Sequence, residues 1–83
     1  MSLMLSLDNI CIGETVCVVD VRAKGSMRRR LMDIGLTEGT RISCVGKSPG
    51  GDPLALLIRG AVIAIRKSDC RDIEVCRAVA GDE

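Results

Sequence analysis

The chain has no aromatic residue and no histidine among its 83 positions. Without rings there is no platform on which unpaired bases could stack, which argues against a nucleic-acid partner. Without histidine or tyrosine, a nucleophile would have only cysteine, lysine and carboxylates to draw on for a base, and nothing in the order of residues arranges them that way. A Gly-x-x-x-x-Gly-Lys phosphate loop is also missing. No enzyme is expected. No apolar run approaches the roughly 20 residues that span a bilayer, and the N-terminus lacks the charged and apolar regions of a secretion signal. A cytoplasmic protein is the expectation.

Cysteine is plentiful, but in a pattern that excludes its usual uses. Cys11, Cys17, Cys44, Cys70 and Cys76 are odd in number and include no Cys-x-x-Cys pair, so neither a disulfide framework nor a dedicated thiolate metal centre is expected. Cysteine is read here as a small buried hydrophobe, with Cys17 and Cys44 in phase with apolar neighbours. Cys11 and Cys76, nearer the ends, are the ones to watch for oxidation. No cofactor is expected.

The chain carries 12 basic and 11 acidic residues, yet the basic ones are unevenly placed. Lys24, Arg28, Arg29 and Arg30 cluster around the start of one short helix, read over Met27 to Asp33. Ser26 is its expected N-cap, and Gly35 its left-handed stop with Leu31 and Leu36 in contact. Met27, Leu31 and Ile34 make one apolar stripe, so the arginines must at least partly face solvent. Cations near a helix N-terminus are unfavourable by roughly 0.3 to 1 kcal/mol each. That broken local rule marks a candidate binding patch for carboxylate, phosphate or lipid head groups. The plain alternative is a solvated face, with Asp33 spaced to pair with Arg29 or Arg30.

The remaining pattern is strand-like. Cys17, Val19, Val21 and Ala23 are read as one face of a strand from Thr15 to Ala23, with Val16 and Val18 apolar on the other side. Arg41 to Lys47 puts Ile42 and Cys44 inward. Ser48 to Pro53, with two prolines and two glycines, is a defined turn. Leu54 to Ile58 and Ala61 to Arg66 flank Arg59-Gly60 as a tight hairpin whose inward residues are Leu54, Leu56, Ile58, Ile63 and Ile65. Ser68 is placed as the cap of one helical turn before a last strand carrying Ile73 and Val75 inward, and Ser6 to Ile10 as a single turn near the start. These elements give a mainly β domain over residues 4–78, a five-stranded, partly open barrel with one short inserted helix. Met1-Ser2-Leu3 and a loose C-terminal tail, residues 79–83, carry no argument. Leu57, Val62 and Ala64 fall on the outward faces of the hairpin and join Arg28, Arg29 and Arg30 as candidate partner-binding residues. Self-association, at most, would be weak.

Arg29-Arg30-Leu31-Met32-Asp33-Ile34-Gly35-Leu36, Gly39-Thr40, Pro49-x-Gly51-Asp52-Pro53, Arg59-Gly60 and Ile63-Ala64-Ile65-Arg66-Lys67 together resemble the ferrous-iron transport protein A (FeoA) family in order and spacing. The resemblance covers nearly the whole chain. It implies an SH3-like barrel and a cytosolic accessory that binds and modulates FeoB, the GTPase-bearing ferrous-iron transporter, reaching the membrane only through that partner. Glu38 departs from a usual proline, and Cys70 from a usual alanine. The family supplies no catalytic residue to carry over. A second reading is a regulatory, metal-sensing module similar to the C-terminal domain of iron-dependent repressors; the lack of a DNA-binding domain in these 83 residues favours the transporter accessory.

Overall fold

The computed structural model describes residues 4–77, so the expectations for Met1-Ser2-Leu3 and for the tail lie outside the described residues. Six strands and two short helices run in the order β1 (Met4–Ser6), β2 (Thr15–Val21), α1 (Gly25–Asp33), β3 (Arg41–Lys47), β4 (Leu54–Ile58), β5 (Ala61–Ile65), α2 (Lys67–Cys70) and β6 (Ile73–Arg77). All strands pair antiparallel in one sheet ordered β1-β6-β2-β3-β4-β5. The mainly β, partly open architecture is the expected one, with β1 and β5 as its two edges. The strand count is six rather than five. The additional strand, β1, is three residues long and too short to show a period, and only its pairing with β6 makes it a strand.

The core forms where the inward faces converge. Ile42, Cys44, Leu54, Leu56, Ile58, Ile73 and Val75 are buried as expected, while Ile63 is half-buried against them. Leu7 and Ile10, on the 3-10 turn Leu7–Asn9 and the residue after it, plug the same core. In β2 the expected facing needs correction. Its inward residues are Val16, Val18 and Val21, with Ala23 just beyond, whereas Cys17 and Val19 are only half-buried. The cause is a register shift between Val18 and Asp20, where an extra residue on β2 reverses the alternation. A second shift lies between Cys44 and Gly46 on β3, at Val45, which is exposed.

Helix α1 lies over this core through Leu31, with Met27 and Ile34 packed at its margin. It starts earlier than expected. Lys24, not Ser26, is the N-cap and gives no side-chain cap, while Gly25 makes the corner at φ 64°. The C-terminal end matches the expectation. Gly35 is left-handed at φ 103°, its N–H donates to the Met32 carbonyl at 3.0 Å, and the Leu36 N–H donates to the Leu31 carbonyl at 3.0 Å. Leu31 and Leu36 are both buried there.

Arg59 clamps this helix end from the β4-β5 hairpin. It adopts φ 50° beside Gly60 at 84°, a pair of left-handed residues that fits a two-residue hairpin turn. Its side chain donates to the Gly35 carbonyl at 3.4 Å and to the hydroxyls of Thr37 at 3.3 Å and Thr40 at 3.5 Å. A Cβ on Gly35 would sit 2.8 Å from the Arg59 Cδ and 2.9 Å from its Nε.

The turn between β3 and β4 holds Pro49–Gly51 in a 3-10 turn, followed by a cis Asp52–Pro53 bond. Its Asp52 carboxylate accepts from the Lys67 N–H at 3.0 Å and so caps α2. The cap expected of Ser68 is therefore corrected. Ser68 lies inside the helix, after its first residue, and the helix start is held by a long-range acceptor instead. Cys70, on α2, is buried; burial first, then the Asp8, Asp69 and Asp52 carboxylates, pushes its thiol up to about 12.

Two outcomes are expected. Gly35→Ala should lose about 1–3 kcal/mol of stability in urea unfolding, since a side chain there is strained by φ and crowded by Arg59; adding Arg59→Ala should return only the crowding part. For Cys70, the thiol is protonated in both states below its ordinary value of 9.0. Above it the unfolded chain releases the proton and the folded chain keeps it, so stability falls as pH rises toward about 12. The loss is at most about 1.4 kcal/mol per pH unit. Cys70→Ala should flatten that alkaline decline, read from unfolding midpoints at about pH 8 and about pH 10.5, on either side of the ordinary thiol range.

Candidate partner-binding surface

Arg28, Arg29 and Arg30 are all exposed on α1, as the apolar stripe requires. They do not point the same way. A guanidinium nitrogen of Arg28 donates to the Val21 carbonyl, which binds this side chain back to the end of β2. It borders a cavity of about 340 Å³ with Asp20, Met32 and Glu38. The side chains of Arg29 and Arg30 have neither hydrogen bond nor ion pair among the described residues. The pairing with Asp33 that spacing allowed is not formed. Elsewhere arginines are engaged: Arg22 with Glu74 at 3.1 Å, Arg71 with Asp8 at 3.6 Å and Arg77 with Glu14 at 2.7 Å. The first turn of α1 holds no acidic residue, so nothing on the helix offsets the positive N-terminus.

Arg30 opens onto a cleft of about 450 Å³ between α1 and β5. Met27 and Ile34 line one wall, Ile63 and Ala64 the other, and Arg66 with Asp69 the far rim. Strand β5 is the sheet edge here, so its outer backbone groups have no partner strand among the described residues. Ala64 is thus brought beside Arg30. Leu57 and Val62 face each other across the β4-β5 ladder, 36% and 62% exposed, in the same ladder as the Ala55–Ala64 pair. Leu57 also borders a shallow hollow of about 550 Å³ with Thr15, Ser43 and Arg59. The structure therefore groups Arg30 and Ala64 at one cleft, with Val62 and Leu57 on the adjoining ladder, and sets Arg28 apart, while Arg29 is exposed on α1.

Two residues of this region escape a reading of the sequence. Arg66 comes directly after Ile65 and reads as the end of a strand, though it reaches the same cleft as Arg30. Val45, 48% exposed on β3, falls on the outward face by simple alternation with Ile42 and Cys44 and is not among the exposed apolar residues expected from the sequence. Among the described residues no three histidine, cysteine, aspartate or glutamate side chains gather as a metal-binding group, and all five cysteines are free. No described helix is long and apolar enough to cross a membrane.

Comparison with known proteins places this geometry. The family model for the FeoA domain matches residues 5–77. A FeoA-like protein from Clostridium acetobutylicum superposes with a TM-score of 0.85 at 37% identity, covering 95% of this chain and 92% of that one. FeoA from Stenotrophomonas maltophilia, a procaryotic SH3 domain protein solved with zinc, superposes at 0.77 and 26% identity, covering 94% and 93%. A manganese-dependent transcriptional repressor shares the fold alone, at 18% identity and a TM-score of 0.82 over 94% of this chain and 44% of that one. Among curated proteins, a Fe(2+) transport protein A/Fe(2+) transporter FeoB fusion protein from Porphyromonas gingivalis is 28% identical over 71 residues. That match takes in 86% of this chain and 8% of the length of the fusion.

Proposed function

The chain belongs to the FeoA family, and on that premise we propose that it serves ferrous-iron transport as a non-enzymatic accessory that binds the cytosolic region of a FeoB-type transporter. The observation that carries this reading is the pair of unpartnered guanidinium groups on α1, Arg29 and Arg30, the second of which opens onto the apolar cleft beside edge strand β5. A guanidinium makes paired hydrogen bonds to carboxylate, and charges on the rim of an interface steer encounter. Beside them Leu57, Val62 and Ala64 supply an apolar surface of the kind that forms the dry centre of an interface. The fusion in Porphyromonas gingivalis supports the pairing, because there the two named proteins are one chain and held at high effective concentration. A cytoplasmic location belongs to the same reading. Arg28 takes a supporting place in it, since its bond to the Val21 carbonyl holds the arginine face of α1 against β2.

Arg29→Glu with Arg30→Glu should leave the circular dichroism spectrum unchanged and weaken binding to the isolated cytosolic region of FeoB about tenfold at low salt, close to about 1.4 kcal/mol. The difference should shrink at moderate ionic strength as screening removes the steering. Arg28→Glu should instead lower stability first. Unchanged affinity of the folded double variant at both salt concentrations would reduce the patch to an ordinary solvated face.

A further inference from the structure

Three sulfur-bearing side chains stand in register on three adjacent strands. Cys17 of β2 lies directly across from Cys76 of β6, and Cys76 directly across from Met4 of β1. Directly opposed residues share a face, and this is the outer one. Cys17 and Cys76 are half-buried and Met4 is 47% exposed.

The backbone decides what this row can do. The Val18 N–H donates to the Thr40 carbonyl at 2.9 Å, and its carbonyl accepts from the Gly39 N–H at 2.8 Å. Both polar groups of Val18 therefore turn toward the β3 side, and those of Cys17, one residue earlier, turn toward β6. Cys17 and Cys76 are then a hydrogen-bonded pair, the wider of the two antiparallel kinds, with Cα atoms about 5.5 Å apart. Their Cβ atoms lie at the wide end of the cross-strand range, about 5.5 Å. A disulfide wants about 3.5–4.5 Å between Cβ atoms, so direct closure would be strained. A metal ion with bonds to sulfur of about 2.3 Å bridges such a gap readily. Cys76 spends its backbone groups on β2, so its pairing with Met4 is of the non-hydrogen-bonded kind, in which side chains approach more closely. The thioether is thus placed to join the two thiols.

The donor set also selects the ion. Glu74, held by Arg22 at 3.1 Å, and Asp20 opposite it stand on this face in the next row, and the row of Cys17, Cys76 and Met4 itself offers two thiols and a thioether. Soft sulfur ligands favour cuprous copper, and a monovalent ion is satisfied by two or three donors where zinc takes four. Two thiolates around a monovalent ion leave one negative charge, and Arg41, across from Cys17 on β3, ends the row with a cation.

We infer that Cys17, Cys76 and Met4 form a surface site for a soft, thiophilic metal ion of the cuprous class, at a place in the sheet separate from the α1-β5 cleft. It does not depend on the transporter reading. Binding releases the two thiol protons to solvent and involves no change of oxidation state.

The test uses the reduced protein under anaerobic conditions in a Cys11→Ser background, which removes the exposed thiol. Cuprous ion is the probe, and a chromogenic cuprous chelator competes for it. One equivalent should be retained by this parent, lost in Cys17→Ser and in Cys76→Ser, and held more weakly in Met4→Leu, with circular dichroism unchanged throughout. Retention of copper by the folded Cys17→Ser and Cys76→Ser proteins would overturn the assignment. So would absence of copper from the parent, or recovery of a Cys17–Cys76 disulfide from aerobic protein whose reduced form binds no metal.

Discussion

The contact between Gly35 and Arg59 is the constraint on which the arrangement of this small domain rests. The last turn of α1 ends in a left-handed glycine that also leaves space for the guanidinium stem arriving from the β4-β5 hairpin. Each partner is held in an uncommon conformation, Gly35 at φ 103° and Arg59 at φ 50°. For arginine such a conformation costs on the order of 1–2 kcal/mol, so neighbouring contacts must over-determine it. They do so here through Thr37, Thr40 and the Gly35 carbonyl. By fixing the hairpin to the helix end, this contact sets the spacing between α1 and β5 and hence the cleft into which Arg30 opens. A packing detail remote from the arginines thereby shapes the surface they border.

The two register shifts do comparable work on the sheet. Each inserts one residue and exchanges the faces of the residues beyond it, so the core keeps Val16, Val18, Val21 and Ala23 along a strand that would otherwise turn its second half away. The residues that leave the core are as consequential as those that stay. Cys17 is left half-buried on the outer face, opposite Cys76.

Electrostatics divide the arginines by use. Arg22, Arg71 and Arg77 find carboxylates across the fold, and exposed pairs of this sort contribute little to stability, about 0–1 kcal/mol. Arg29 and Arg30, at an uncompensated helix N-terminus, find none among the described residues. The domain thus carries a local positive field on a chain whose net charge is only +1. A field so confined acts on an oriented partner more than on distant charge.

Much of this protein was decided locally and could be read in order. Strands β3 and β4 have the limits that alternation predicts, the Arg59-Gly60 turn follows from its length between two apolar runs, and the stop at Gly35 follows from glycine's freedom and the Leu31–Leu36 pair. These features depend on residues within a few positions of one another, where propensity and period speak directly. The exposure of the arginine patch was legible for the same reason, since a three-residue apolar stripe on a short helix leaves the arginines no inward face. Other features required partners distant in sequence. Strand β1 exists because β6 runs beside it, α2 is capped by Asp52 from another loop, and Arg28 is turned aside by the carbonyl of Val21. The facing of Cys17 was decided in the same way, because a bulge arises when two strands of unequal residue count must keep their ladders aligned, and neither strand alone records the length of the other.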